Sequence, residues 1–170
     1  MSRIVFAVGG TAHVQSLADA AGFRGQSAIS SSEPRTMHLM YKNPALTVDA
    51  VIVKDGEIVL IQRKGEPFRG QYALPGGFVE YGETVEAALR REILEETGLV
   101  VEIVSLVGVY SDPRRDPRGH VVSVAFTATI VGGVLAGDSD AEKAMLWHIT
   151  KLPPLAFDHA QIVHDALRPR

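Results

Sequence analysis

Between Gly77 and Leu99 the chain sets seven residues at fixed intervals: Gly77, Glu83, Arg91, Glu92, Glu95, Glu96 and Gly98. Aliphatic Ile93 and Leu99 fall among them. Seven identities at about 7% abundance each coincide by chance on the order of once in 10⁸ windows. Thr84 to Thr97 reads as a helix, because Val85, Ala88, Leu89 and Ile93 recur at helical spacing. Gly82 and Glu83 stand at its start, and Gly98 is placed to close it as a left-handed cap. On this helix Glu92, Glu95 and Glu96 occupy i, i+3 and i+4 and share one face. Three carboxylates so placed repel one another, and something positive must offset them. Oxygen donors at this density suit a hard divalent cation, Mg²⁺ or Mn²⁺, which leaves its other positions to water and substrate phosphate. Ala73-Leu74-Pro75-Gly76-Gly77 leads into the helix, and its two glycines let the backbone approach a ligand closely. A lone Glu-x-x-Glu-Glu describes a solvated helix face equally well; the full spacing separates the two readings.

The chain around this segment is ordinary in size and charge. Its 170 residues fit one domain, and 17 basic against 20 acidic residues give a net charge of −3. No basic excess points to nucleic acid, and no apolar run approaches the roughly 20 residues that span a bilayer. With no cysteine, a disulfide scaffold, a thiolate metal site and a cysteine nucleophile are all excluded. That composition fits a reducing compartment, and a cytoplasmic location is expected. Ile4 to Gly10 is too short for a secretory signal. Gly22 to Arg35 has linker composition, and Met37 and Met40 follow it. Residues 1–39 are therefore read as a weakly structured extension or as lying before the native start, and residues 40–170 as the working domain.

Within that domain, Leu46 to Val53 and Ile58 to Ile61 are strands around an Asp55-Gly56 turn, and Gly65 to Gly70 is a loop. Val100 to Tyr110, His120 to Val131 and Ala144 to Ile149 are further strands, and His159 to Leu167 is a last helix. The order β-β-loop-α-β-β-β-α predicts an α/β protein with a mixed sheet and helices on its faces.

In every fixed position Gly77 to Leu99 is similar to the Nudix box, G-x5-E-x7-R-E-U-x-E-E-x-G-U, where U is aliphatic. The resemblance implies the Nudix α/β/α sandwich with its loop-helix-loop. It also implies Mg²⁺-dependent hydrolysis of a nucleoside diphosphate joined to another group, with cations on the phosphates and a carboxylate taking the proton from water. By the same resemblance Glu92, Glu95, Glu96 and the Gly76 carbonyl are metal ligands, Arg91 orients the glutamates, and Glu83 is an outer helper. The general base is Glu92 itself or a carboxylate from the loop before a late strand, where Asp138, Asp140 and Glu142 stand; Glu142 is the residue expected. The stretch Tyr110-Ser111-Asp112-Pro113-Arg114-Arg115-Asp116-Pro117-Arg118-Gly119-His120 resembles a signature of microbial ADP-ribose pyrophosphatases. So do Glu66-Pro67-Phe68 and Leu155-Ala156-Phe157-Asp158-His159, and the likeness runs from about Met40 to Leu167. It departs in one respect: the proline that often marks ADP-ribose members beyond the box is flanked here by Pro113 and Pro117, neither of which occupies its place.

That likeness implies cleavage of ADP-ribose to AMP and ribose 5-phosphate, with Arg63, Asp112, Arg115, Asp116, Arg118 and His120 at the substrate. The arginines are suited to grip phosphate bidentately. Phe68, Tyr72 or Tyr110 are readings for a ring that stacks on adenine, with packing as the alternative. Trp147 is read as core, and His148, His159 and His164 as surface or packing residues. The expected assembly is a homodimer. Two alternatives remain open: hydrolysis of another nucleoside di- or triphosphate, and a sensor that binds ADP-ribose without turnover. Against the sensor stand the intact glutamate set and the expected lack of a DNA-binding domain after the box.

Overall fold

A computed structural model describes residues 42–135 and 143–168. Nine elements follow in chain order: β1 (Ala45–Lys54), β2 (Glu57–Gln62), β3 (Tyr72–Ala73), β4 (Gly76–Phe78), α1 (Val85–Thr97), β5 (Leu99–Tyr110), β6 (Val121–Gly133), β7 (Lys143–His148) and α2 (His159–Leu167). The expected strands and both helices stand within a residue or two of where periodicity places them. β3 and β4 are additions, hidden in the segment read as an approach to the helix. At two and three residues, one of them built on Gly76-Gly77, they are too short to show alternation.

β1 organises the molecule. Along one edge it pairs in parallel with β6, from Ala45 opposite Val121 to Ile52 opposite Ala128. Its other edge is divided between two antiparallel partners. Thr47 to Asp49 pair with β4, and Val53 and Lys54 pair with β2 across the Asp55-Gly56 turn. β5 closes one end of the sheet antiparallel to β6, and β3 and β7 both pair with β2. The sheet is mixed, as expected.

Alternation along β1 sends its residues to two cores. Val48, Ala50 and Ile52 pack with Ala88, Leu89 and Ile93 of α1. Val51 packs on the opposite face with Ile162 and Val163 of α2. A strand buried on both sides reads as a nearly continuous apolar run, and Asp49, on the α2 face, is the break in that run. The result is a helix on each face of the sheet, the α/β/α arrangement that the resemblance implies. Among the described residues no helix is long and apolar enough to cross a membrane.

Candidate active site

Helix α1 is defined at both ends by its own sequence. The Thr84 hydroxyl accepts a hydrogen bond from the Ala87 amide at 3.2 Å. Gly98 closes the helix with φ 71°, donating its amide to the Leu94 carbonyl. Ala88, Leu89, Ile93 and Thr97 face the core, which turns the acidic stripe outward beneath β4.

Arg91 is the hub of that stripe. Its Nε and Nη2 donate to the two carboxylate oxygens of Glu83 at 3.0 and 2.9 Å. Nη1 donates to Glu92 at 2.7 Å and reaches Glu95 at 3.5 Å, and Nη2 also donates to the Phe78 carbonyl at 3.0 Å. The guanidinium draws Glu83 below the usual carboxylate range, and Glu83 and Glu92 together hold Arg91 firmly protonated. The i+4 contact to Glu95 is the longest of these bonds. Glu95 stays exposed at 59%, against 15% for Glu92. Glu96 accepts the Gly76 amide at 2.8 Å, tying the helix to β4.

The Gly76-Gly77 pair is required by close approach on both sides. A Cβ on Gly76 would lie 2.0 Å from the Val48 carbonyl oxygen of β1. One on Gly77 would lie 2.4 Å from the carboxylate carbon of Glu92. At Gly76 and Gly77, strand β4 therefore passes between β1 and the acidic helix with no room for side chains.

Whether a metal fits is a question of donor chemistry. Among the described residues no three His, Asp or Glu side chains converge as an ion site; Glu92 and Glu96 are engaged by Arg91 and the Gly76 amide. The donors are nonetheless oxygen throughout, and Glu83, Glu92, Glu95 and Glu96 outnumber the one arginine among them. That excess of hard anionic oxygen fits a divalent cation of the Mg²⁺ or Mn²⁺ type. The loop carboxylates Asp138, Asp140 and Glu142 lie outside the described residues, as does the extension 1–39.

On the other face of β1 lies a second polar cluster. A cleft is lined by Thr47, Asp49, Arg63, Arg115, Asp116 and His159, with Gly76 and Gly77 on its margin. Asp49 is buried and accepts a hydrogen bond from the Ser123 hydroxyl. His159 is buried too, and its Nδ1 accepts the Leu74 amide at 2.9 Å. The ring proton therefore sits on Nε2, 3.5 Å from Asp49. Burial presses the His159 pKa below its ordinary value against the opposing pull of Asp49. Arg115 is almost wholly buried and grips Asp158 with two bonds of 2.8 and 2.6 Å.

The loop between β5 and β6 is built from one module used twice. Asp112-Pro113-Arg114 and Asp116-Pro117-Arg118 each fold so that the aspartate accepts the backbone amide of the arginine two residues on, at 2.9 Å. In each, the same arginine's guanidinium then holds that aspartate. The first copy faces solvent, with Arg114 89% exposed. The second is turned inward, and its Asp116 carboxylate is 2% exposed. Burial works to raise the Asp116 pKa, but hydrogen bonds from Arg118 outweigh it and hold the value below the usual range.

The structure thus sorts the expected substrate residues. Arg63, Arg115 and Asp116 line the cleft. Arg118 and His120 line a neighbouring groove. Asp112 lines neither; it is occupied with Arg114 at the surface. Arg115 is an internal tie as it stands, because Asp158 takes its Nε and Nη2. Arg63 donates to the Pro67 carbonyl and lies 4.8 Å over the Phe157 ring. The three rings read as adenine platforms are taken up elsewhere. Phe68 packs edge-on against Phe157, and Tyr72 against Trp147. Tyr110 donates to Asp165 at 3.0 Å, with burial and that carboxylate pushing its pKa up to about 12.

Sequence reading missed Asp49, Ser123, Asp158 and Phe157 as site residues and left His159 as surface or packing. One signal was present: Thr47 and Asp49 are polar at i and i+2 within an otherwise apolar strand, so both fall on one sheet face.

Comparison with known proteins places the fold in a known family. A family model described as the NUDIX domain matches residues 43–166. The ADP-ribose pyrophosphatase of Methanocaldococcus jannaschii is 54% identical over 129 residues, 76% of this chain and 76% of the relative. The ADPR responsive transcriptional repressor NtrR of Acinetobacter baylyi is 35% identical over 136 residues, 74% of this chain; the match spans only 54% of that longer protein. Among solved structures, the NUDIX domain of Shewanella oneidensis NrtR complexed with ADP ribose superposes with a TM-score of 0.64 at 31% identity. That match covers 74% of this chain and 88% of the other.

Proposed function

Because this chain belongs to the NUDIX family, we propose that it is a Mg²⁺-dependent hydrolase that cleaves ADP-ribose to AMP and ribose 5-phosphate. The observation that carries the reading is the acidic face of α1, ordered by Arg91 and tied to β4 through Glu96 and the Gly76 amide. The substrate is suggested by the relative named an ADP-ribose pyrophosphatase and by the structural neighbour complexed with ADP ribose.

Divalent ions of this kind neutralise phosphate charge and acidify a bound water. The chain's own residues set the rest. Glu92, Glu95, Glu96 and the Gly76 carbonyl are the proposed ligands, and Arg91 positions Glu92. Water adds to one phosphorus, the bridging oxygen leaves with the other phosphate, and the water proton passes to a carboxylate. Glu142 is the proposed base, with Glu92 as its alternative. Arg63, which lines the cleft, and Arg118 and His120, which line the groove, are the proposed contacts to an anionic substrate. We further propose a cytoplasmic homodimer of the 40–170 domain; sedimentation equilibrium at twice the chain mass tests the assembly.

The direct test is AMP release from ADP-ribose in Mg²⁺. A second reading, binding of ADP-ribose without turnover, is favoured by the likeness to a repressor described as ADPR responsive. Tight ADP-ribose binding with no product would select it.

A further inference from the structure

Beside the cleft lies a groove of about 470 Å³, within the size range of small-molecule sites. Its lining includes Lys42, Phe78, Arg118, His120 and Val121, and Val121 lines the cleft as well. The two spaces are therefore neighbours. Phe78 follows Gly77 directly, and its carbonyl holds Arg91. The groove thus starts on the last residue of β4, the strand that passes the acidic helix.

Three features give the groove a chemistry. Phe78 leaves 48% of its surface exposed, an aromatic ring set in polar surroundings. The Arg118 guanidinium lies 5.5 Å from its centroid, in cation–π range. Arg118 does not swing freely: Asp116 holds its Nε and Nη2, and its backbone amide is bonded to the same carboxylate. A fixed guanidinium plane beside an exposed ring is a surface on which a flat heterocycle can stack. Lys42 and His120 add basic groups, and no acidic side chain is among the lining residues. That suits a ligand that is flat at one end and anionic at the other. Phe68, Tyr72 and Tyr110 are spent on packing or on Asp165, and Phe78 is the phenyl ring that lines the groove.

We propose that this groove receives the aromatic base of a nucleotide, stacked on the Phe78–Arg118 pair, and that Phe78 is a specificity-determining residue. The inference rests on the reading of the cleft as a nucleotide hydrolase site and adds where the base lies.

The test is binding without turnover. An etheno-adenine nucleotide, etheno-ADP, is titrated by fluorescence into wild type, Phe78→Ala and Phe78→Trp. Ribose 5-phosphate, which has no base, is titrated by calorimetry into the same three proteins. Phe78→Ala is expected to weaken etheno-ADP about tenfold, as loss of one base–aromatic stack does. Phe78→Trp restores the affinity, and ribose 5-phosphate binds all three alike. Equal etheno-ADP affinity in wild type and Phe78→Ala overturns the proposal. A parallel loss of ribose 5-phosphate also overturns it, because the residue then acts on the site as a whole. If wild type cleaves no ADP-ribose but etheno-ADP still depends on Phe78, the hydrolase reading fails and the base site stands.

Discussion

At the scale of single residues, neither Gly76 nor Gly77 has open space for a Cβ, and alanine tells their roles apart. On Gly76 a methyl meets the Val48 carbonyl oxygen at 2.0 Å, a backbone atom that cannot swing aside. On Gly77 it meets the far end of the Glu92 side chain at 2.4 Å, which can swing aside. Gly76→Ala should therefore lower the melting temperature sharply. Gly77→Ala should fold with nearly native stability yet lose most of its activity, because the Glu92 carboxylate is displaced; melting curves and kcat, measured side by side, check the pair. Glu96→Gln makes a complementary case. The amide oxygen of glutamine can still accept the Gly76 N–H, so the melting temperature should hold while metal-dependent turnover disappears. Retained turnover at saturating Mg²⁺ would remove Glu96 from the metal set.

At the scale of elements, the β5–β6 loop and the start of α2 are joined by buried charge. Its spacing of arginines reads as a phosphate grip, but Arg115 faces inward to Asp158 and Asp49. Removing one partner of a buried pair costs about 3 kcal/mol. Arg115→Ala should thus show first as a fall in denaturant midpoint, and a rise in KM without that fall would restore the direct phosphate role. His159 makes the same junction sensitive to acid. Burial holds its folded pKa below the ordinary value of about 6.5, so the unfolded chain takes up the proton first as pH drops. Stability is full above that pH and drains away below it, until the folded pKa is reached. Melting temperature should begin to fall as the pH drops below about 6.5, and the slope should flatten in His159→Gln. Equal slopes in the two proteins would show that the ring is not the group responsible.

Much of this scale was legible in advance. Helix α1 announced itself because its apolar spacing, Thr84 cap and Gly98 stop are local signals that tertiary packing has no reason to override. The strands β1, β2, β5, β6 and β7 were legible for the same reason, whereas β3 and β4 are too short to carry such a signal. The buried knot was not. Asp49, Ser123 and His159 are distant in sequence, and only the parallel register of β1 on β6 and the docking of α2 bring them together. Nor does sequence say which copy of the Asp-Pro-Arg module faces inward, since the two are locally alike.

For the molecule as a whole, the consequence of the fold is that β1 presents a different chemistry on each face. One face carries α1 and its glutamates; the other carries Asp49, Arg115 and His159. Strand β4 runs along the edge of β1, and its Gly76 and Gly77 adjoin both the acidic helix and the cleft. The most direct measurement of this account is kcat/KM for AMP release in Mg²⁺ across ADP-ribose, NADH, ADP-glucose, diadenosine polyphosphates and nucleoside triphosphates. The account predicts that ADP-ribose gives the highest value and that Glu96→Gln removes it. A triphosphate turned over in preference, or equal turnover by Glu96→Gln, would contradict it.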